Sequence, residues 1–335
     1  MSIPINNSPS LQLDLFASGA MHNGRGAAGA VTASLLNRGN ADESVFDDAR
    51  CLTKSTSRPL KRHGGKRYSA DWIISLMPPR VKDPNAPASD DAGWLHYVEP
   101  YFGGGAVLFA QDPEGISEVI NDLDGELTNF WDVLKSRERY LALEHRLQFT
   151  PCSQIEFERA CQRYGQGDPV ARAAKFFVRN RQCRQAVGSD FATMVRNRTR
   201  SGMNELVSAW LSAIDGLAEF HARLQRVVIY NKDACDVIRQ QDGPRTLHYL
   251  DPPYLHETRS STGEYEFEMD EEDHLRLLET LAGIKGRFLL SGYPSELYDE
   301  FAAKHAWKCH EREIDNKASG SKTKEKRTEC VWTNS

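Results

Sequence analysis

The stretch Leu247-His248-Tyr249-Leu250-Asp251-Pro252-Pro253-Tyr254 decides the fold prediction. Its first half is an apolar run typical of a buried strand, and its second half is a polar turn that two prolines make rigid. Open α/β sheets bind their ligands just beyond the carboxyl ends of such strands. The Asp251 carboxylate, the Pro252 carbonyl and the Tyr254 ring therefore suit a planar base that carries an amine. An ordinary strand-ending turn would use the same residue types, because Asp-Pro turns are common.

Composition limits the class of protein. The 335 residues suffice for one large domain or two smaller ones, and the formal net charge of −5 argues only against a uniformly basic DNA-coating protein. The seven cysteines are odd in number and none stands at Cys-x-x-Cys spacing, so we expect a reducing cytoplasm and no metal. Neither a membrane-length apolar run nor a signal-peptide layout is present, so no membrane partner is expected. We also expect a monomer.

Three regions differ in their pattern. Residues 1–58 are rich in Ser, Asn, Gly and Ala without a sustained period, which predicts a disordered leader. Residues 59–135 and 225–335 alternate strands and helices and form the predicted catalytic domain. About a hundred residues separate the second strand from the next candidate strand, more than a crossover needs. Ser153 with Glu156 has the spacing of a capping box, and Asp168-Pro169 offers an N-cap followed by proline at the first helical position. Residues 136–224 are therefore predicted to be an inserted helical domain.

A glycine turn follows the first predicted strand, Leu95 to Glu99. The sequence Glu99-Pro100-Tyr101-Phe102-Gly103-Gly104-Gly105 leads from that strand into a predicted helix. Glycines at this position allow the close approach of an adenosine-bearing cofactor. Because the dinucleotide fingerprint is missing, a cofactor without phosphates is favoured over a pyrophosphate. A purely structural turn is the alternative.

Acidic residues follow two further strands. Asp122 ends the second strand, where a carboxylate can accept both hydroxyls of a ribose, and Asp124 is the fallback for this role. Either could instead cap the helix that begins near Leu127. Asp233 follows the third predicted strand, Arg226 to Tyr230, and could accept a hydrogen bond from the adenine amine of a cofactor.

Basic residues concentrate in the inserted region. Between Arg159 and Asn204 there are ten basic residues and two acidic ones, in a chain that is acidic as a whole. Such an excess is typical of a surface that contacts a phosphate backbone, whereas a solvated helix face usually interleaves both signs. The predicted DNA-binding residues are Arg179, Arg181, Arg184, Arg196, Arg198 and Arg200.

Four motifs in this order resemble the Dam-type DNA adenine methyltransferases, including phage-borne members. They are Gly64-Gly65-Lys66, Val98 to Gly105, Asn121-Asp122 and Asp251 to Tyr254, with the basic insertion before the last. The resemblance runs from about Leu60 to the C-terminus. It implies a Rossmann-like sheet and transfer of a methyl group from S-adenosylmethionine to the exocyclic amine of adenine in double-stranded DNA. It also implies a bacterial or phage-infected cell and a link to restriction-modification.

The resemblance assigns roles to individual residues. Asp251, Pro252, Pro253 and Tyr254 would hold the target base as catalytic residues. The cofactor would be bound by Arg62, Gly65, Lys66, Glu99, Pro100, Phe102, Gly103, Gly105, Asp122, Asp233, Ala234 and Asp251. At positions 62 and 63 this chain has Arg and His, where the Dam enzyme has Trp and Ala.

The chemistry agrees with these roles. An adenine amine is a poor nucleophile because its lone pair is delocalised into the ring. If Asp251 and the Pro252 carbonyl each accept one amine hydrogen, the lone pair can point at the methyl group, and positioning supplies most of the acceleration. The alternatives are transfer to the cytosine amine, a DNA-binding relative without catalysis, and methylation of RNA or a protein amide.

Overall fold

The computed structural model describes residues 60–61, 65–81, 93–162, 167–183, 190–192, 199–255, 267–315 and 326–335. The predicted leader, residues 1–58, lies outside these ranges, as do Arg62 and most of the two polar loops that follow Tyr254 and Asp315. No helix in the described ranges has the length and apolarity needed to cross a membrane.

The described strands form one large sheet and one short hairpin. The sheet strands are β1 (His96–Glu99), β2 (Ser117–Asn121), β5 (Val227–Tyr230), β6 (Thr246–Leu250), β7 (Arg287–Gly292), β8 (Lys308–Asp315) and β9 (Lys326–Thr333). The hairpin pairs β3 (Thr199–Arg200) with β4 (Met203–Asn204).

The described helices fall into three groups along the chain. The first is α1 (Ala70–Leu76). The second comprises α2 (Gly125–Lys135), α3 (Arg137–Gln148), α4 (Gln154–Cys161), α5 (Pro169–Gln182), α6 (Glu205–Asp215) and α7 (Leu217–Leu224). The third comprises α8 (Ala234–Gln241), α9 (Glu271–Ala282) and α10 (Glu296–His305).

The order of strands in the sheet is β5-β2-β1-β6-β7-β9-β8. The first five run parallel, and β9 lies antiparallel to both β7 and β8. Chain order reverses between β1 and β6, which is the switch point at which doubly wound sheets bind their ligands. The predicted Rossmann-like sheet is confirmed. Strand β6 is buried along its whole length, as expected for a central parallel strand covered on both faces.

The helices of the inserted region share a hydrophobic core with the sheet. One buried cluster joins Tyr97 and Leu247 of the sheet to Trp131 of α2, Phe177 of α5 and Trp210 of α6. The helical character of the insertion, with Ser153 and Asp168 accepting hydrogen bonds from the first turns of α4 and α5, agrees with the sequence analysis. Its boundaries as a separate domain, residues 136–224, stay a prediction.

One predicted element is wrong. The glycine turn leads into a single 3-10 turn, Leu108–Ala110, and the described residues between it and β2 contain no α-helix. The chain must return to β2 within a few residues, and Pro113 has no N–H for continued helical hydrogen bonding. The turn is instead held by its buried residues Leu108 and Phe109.

Candidate active site

A cavity opens at the carboxyl ends of β1, β2 and β6, on both sides of the switch point. Among its lining residues are Gly65, Lys66, Glu99 to Val107, Asn121 to Asp124, Asp233, Ala234, Tyr249, Asp251, Pro253, Phe267 to Met269, Asp273 and Arg276. The first and last motifs of the sequence analysis therefore meet in space. Pro252 and Tyr254 are buried beside this cavity and are not in its lining.

The glycine turn forms one wall of the cavity, and its backbone is fixed on both sides. The Gly103 carbonyl accepts from the Trp131 indole at 3.2 Å, and the Gly103 N–H donates to Asp122 Oδ2 at 2.8 Å. Gly103 and Gly105 both have positive φ, 52° and 67°, a region that favours glycine. Phe102 also lines the cavity, and its buried ring packs edge-on against Trp131 in the core.

The structure separates the two ribose candidates. Asp124 caps α2, because its Oδ1 accepts from the backbone N–H groups of Glu126 and Leu127 at 2.9 and 3.0 Å. Asp122 precedes the helix, and its carboxylate is oriented by the N–H groups of Gly103 and Asp124. Helix capping therefore accounts for Asp124 and not for Asp122.

Asp233 lines the cavity just beyond β5, and its carboxylate accepts hydrogen bonds from three donors. Its Oδ1 accepts from the Cys235 and Asp236 N–H groups at the start of α8, and its Oδ2 accepts from Arg276 at 2.7 Å. Burial would raise the pKa of Asp233, but the hydrogen bond and charge of Arg276, with the two backbone N–H groups, outweigh it and lower that pKa. Asp233 is thus a fixed anion.

The floor of the cavity is a buried carboxyl group. Glu99 ends β1 with 2% of its surface exposed, and the Tyr97 hydroxyl donates to its Oε2 at 3.1 Å. Burial raises the pKa of Glu99 well above its usual range, and the Tyr97 hydrogen bond opposes this only in part.

Asp251 meets a buried lysine at the end of β6. Lys66 Nζ lies 2.8 Å from Asp251 Oδ1, and 23% of the Asp251 side chain is exposed. Burial raises the pKa of Asp251, which the charge of Lys66 counteracts in part. Burial also opposes the charge on Lys66, yet the attraction of Asp251 and Glu329 outweighs it, so the pKa of Lys66 is raised. The two side chains form an ion pair in the cavity wall.

Comparisons with known proteins agree with this geometry. A family model described as D12 class N6 adenine-specific DNA methyltransferase matches residues 63–315. The chain belongs to that family. It is 24% identical to the type II methyltransferase M.MjaIII of Methanocaldococcus jannaschii over 65% of this chain and 76% of that protein. It is 26% identical to the type II methyltransferase M1.LlaDCHI of Lactococcus lactis subsp. cremoris over 74% of this chain and 87% of that protein.

The protein is therefore an adenine-specific DNA methyltransferase, as the order of its motifs predicts. Its substrate is DNA, and its reaction requires a methyl donor. The cytosine alternative has no support, because the matched family is defined by the adenine N6 amine. The resemblance to phage-borne members stays a prediction.

The structure gives partners to part of the basic cluster of this methyltransferase. Arg172 forms a bidentate pair with Glu126 of α2, and Arg159 pairs with Glu156. Both acids lie outside the sequence window in which the basic excess was counted. A count along the sequence therefore overstates the basic charge of this region that has no acidic partner.

Three of the six predicted DNA-binding arginines lie in the described ranges. Arg181 donates to the Ala209 carbonyl at 3.2 Å and so joins α5 to α6. Arg179 is half-buried near the end of α5, and Arg200 is exposed in the β3–β4 hairpin. Arg184, Arg196 and Arg198 fall outside the described residues. The DNA-binding role of all six stays a prediction.

Sequence reasoning missed two charged residues that contact predicted site residues, Arg276 in the cavity lining and Glu329 behind Lys66. Arg276 lies on α9 and anchors Asp233, and Glu329 lies on β9 with 3% of its surface exposed, 3.4 Å from Lys66 Nζ. The only signal for Glu329 was a charged residue beside the apolar residues Cys330, Val331 and Trp332. Both come from segments far from the motifs, so spacing could not connect them to the site.

Proposed function

We propose that this methyltransferase takes its methyl group from S-adenosylmethionine and transfers it to the exocyclic amine of an adenine flipped out of duplex DNA. The observation that carries the proposal is the meeting of Asp251 with an acidic, glycine-walled cavity at the switch point of the sheet. When bound, S-adenosylmethionine supplies a methyl carbon attached to a positively charged sulfur, and on transfer the sulfur keeps the electrons of the broken bond and becomes a neutral thioether.

The charge of the cavity supports this cofactor. Among the described lining residues, seven are acidic and two are basic: Glu99, Asp122, Asp124, Asp233, Asp251, Glu268 and Asp273 against Lys66 and Arg276. Burial favours the neutral form of Glu99, but the remaining lining still has more acidic than basic groups. It therefore attracts a ligand with ammonium and sulfonium charges and disfavours a pyrophosphate. The exposed backbone of the glycine turn leaves room for the close approach of a nucleoside.

Individual residues suit the parts of the cofactor. Asp122, oriented by two backbone N–H groups, would accept the ribose hydroxyls. Asp233 and the neighbouring Ala234 would meet the adenine ring. Gly65, Pro100 and the turn from Phe102 to Gly105 would enclose the methionine part, above the Glu99 carboxyl. Arg62, which lies outside the described residues, is a further predicted contact of the cofactor.

Asp251 would activate the target amine. Its carboxylate and the Pro252 carbonyl would each accept one amine hydrogen, which frees the nitrogen lone pair for attack. The methylated nitrogen then carries a surplus proton. Asp251 can receive that proton, because burial already raises its pKa and so favours the neutral acid.

The substrate base must leave the duplex, since a stacked adenine cannot reach a buried carboxylate. Tyr254 would stack on it after a rearrangement, because its ring now packs edge-on against Tyr293 at 4.6 Å with Lys66 Nζ 4.7 Å from its centre. Pro253 would hold the turn rigid. The insertion, residues 136–224, would contact the phosphates. Because the two relatives are named type II methyltransferases, we also propose a role in restriction-modification.

The test is transfer of labelled methyl from S-adenosylmethionine to unmethylated plasmid DNA, followed by digestion to nucleosides. We expect label in N6-methyladenine. Label in methylcytosine would contradict the proposal, and bound cofactor without transfer would favour a catalytically silent relative.

The same assay on the variant Asp251→Ala tests the role of Asp251. The substitution should lower the transfer rate by more than about 10²-fold, because it removes a group that stabilises the transition state, while DNA binding stays nearly unchanged. A rate within tenfold of the wild-type enzyme would remove Asp251 from its proposed role.

A further inference from the structure

A buried carboxylate, Glu329, and the partly exposed Asp251 share one ammonium beside the target-base motif. Lys66 Nζ lies 2.8 Å from Asp251 Oδ1 and 3.4 Å from Glu329 Oε1. Lys66 and Glu329 are 8% and 3% exposed. Charges with so little access to water are stabilised by pairing, and both acids pair with Lys66.

The two carboxylates differ in how firmly they are held and in whether a base can reach them. Ser69 Oγ donates to Glu329 Oε2 at 2.7 Å, which fixes that oxygen. The other oxygen, Oε1, faces Lys66 and also accepts from the Tyr254 hydroxyl at 3.4 Å. Glu329 therefore presents a fixed negative charge to the cluster, whereas Asp251 lies at the cavity wall where a base amine can reach it.

The ion pair conflicts with the role proposed for Asp251. Its Oδ1 is occupied by Lys66, and a paired carboxylate is a weaker acceptor for an amine hydrogen. If Lys66 left Asp251 without another partner, a buried ammonium would be stranded at high cost. Glu329 is the second partner already within reach.

We propose that Glu329 is a positioning residue, which takes the Lys66 ammonium when Asp251 binds the target amine. The proposal rests on the proposed role of Asp251 and adds a residue from the last strand of the sheet to it. Glu329 itself touches neither the base nor the methyl donor; it acts through Lys66 and the Tyr254 hydroxyl.

The primary test is Glu329→Gln, which keeps the shape and removes the charge. In a single turnover with cofactor and DNA both saturating, the rate should fall about tenfold or more, since small errors in the placement of a reacting group cost up to roughly 10²-fold. Affinities for S-adenosylmethionine and DNA should stay within about twofold of the wild-type values. An unchanged rate would overturn the proposal.

A pH profile separates positioning from a general structural defect. Among the residues that the structure describes, the charged and titratable groups that face Asp251 are Lys66 before α1, Glu99 of β1, Tyr249 of β6, Tyr254 after β6 and Glu329 of β9. Activity requires ionised Asp251, so it falls on the acid side of the pKa of that residue. The negative charge of Glu329 raises this pKa, so Glu329→Gln should move the acid limb to lower pH.

Two matched variants serve as controls. Ser69→Ala removes the other hydrogen bond of Glu329 and keeps its charge, and Glu329→Asp keeps the charge on a shorter side chain. Both should leave the acid limb close to that of the wild-type enzyme. If Ser69→Ala shifts the limb as far as Glu329→Gln does, Glu329 supports the fold and the proposal is wrong.

A double-mutant cycle of unfolding free energies tests the contact between Lys66 and Glu329 independently of the proposed function. Chemical unfolding of Lys66→Met, Glu329→Gln and the double variant measures the coupling of the two side chains without any substrate. Additive losses would contradict the shared ammonium even in an active enzyme. If the unfolding free energies show that Lys66 and Glu329 are coupled but the wild-type protein transfers no methyl group, the proposed function is refuted and the shared ammonium is not.

Discussion

At the scale of single residues, neighbouring acids of one turn have different tasks. Asp124 caps α2, whereas the Asp122 carboxylate is aimed by the Gly103 and Asp124 N–H groups. We expect Asp122→Ala to weaken S-adenosylmethionine binding by about tenfold or more, since it removes hydrogen bonds of a charged acceptor to the ribose. Asp124→Ala should cost about 1 kcal/mol of stability through loss of the cap and leave the affinity nearly unchanged. Calorimetric titration and chemical unfolding measure the two effects, and equal loss of affinity in both variants would contradict the division.

The residues that could be predicted from sequence are those that end strands in a recognisable motif. Asp251, Asp122 and the glycine turn stand directly after buried strands, and parallel strands bring their carboxyl ends to one edge. Arg276 and Glu329 could not be found in this way, because tertiary packing brings Arg276 of α9 to the cavity and Glu329 of β9 to Lys66. Nor could the sequence show that Asp251 is paired with Lys66, which depends on where the chain before α1 lies.

At the scale of elements, the glycine turn shows which glycines the backbone requires and which the packing requires. A Cβ at Gly103 would meet nothing within 4 Å, whereas one at Gly105 would clash with the Phe102 ring and lie 2.6 Å from the Phe109 ring. Gly103→Ala should therefore cost about 1–2 kcal/mol, the strain of a positive φ. Gly105→Ala should cost roughly a further 1–3 kcal/mol from overpacking.

Chemical unfolding of the two glycine variants, with ΔG extrapolated to water, tests this difference. Similar losses at both positions would show that the Phe102 and Phe109 rings yield without cost. The helix predicted after this turn was wrong for a related reason. Local small residues are compatible with a helix, but the short return to β2 and the burial of Phe109 favour a single 3-10 turn.

At the scale of the whole molecule, an acidic protein must bind a polyanion through local positive charge. The chain carries a net charge of −5, so its DNA affinity has to come from basic side chains without acidic partners nearby. The window count predicted such a set, but the fold pairs Arg159 with Glu156 and Arg172 with Glu126. The α/β class of the sheet was predictable because strands and helices alternate along the chain, whereas the pairing of charges across the fold depends on distant acids.

Two exposed arginines of the insertion allow a comparison between a basic side chain that pairs with an acid and one that is proposed to contact phosphate. Arg200, in the β3–β4 hairpin, is the candidate phosphate contact, and Arg159 is its matched control because Glu156 neutralises it at 2.6 Å. Arg200→Ala should lower DNA affinity and reduce the slope of log K against log salt concentration by about 1, since one counterion fewer is released. Arg159→Ala should leave that slope unchanged. Titration of labelled duplex at several salt concentrations measures both, and an unchanged slope for Arg200→Ala would exclude this hairpin from the phosphate contacts.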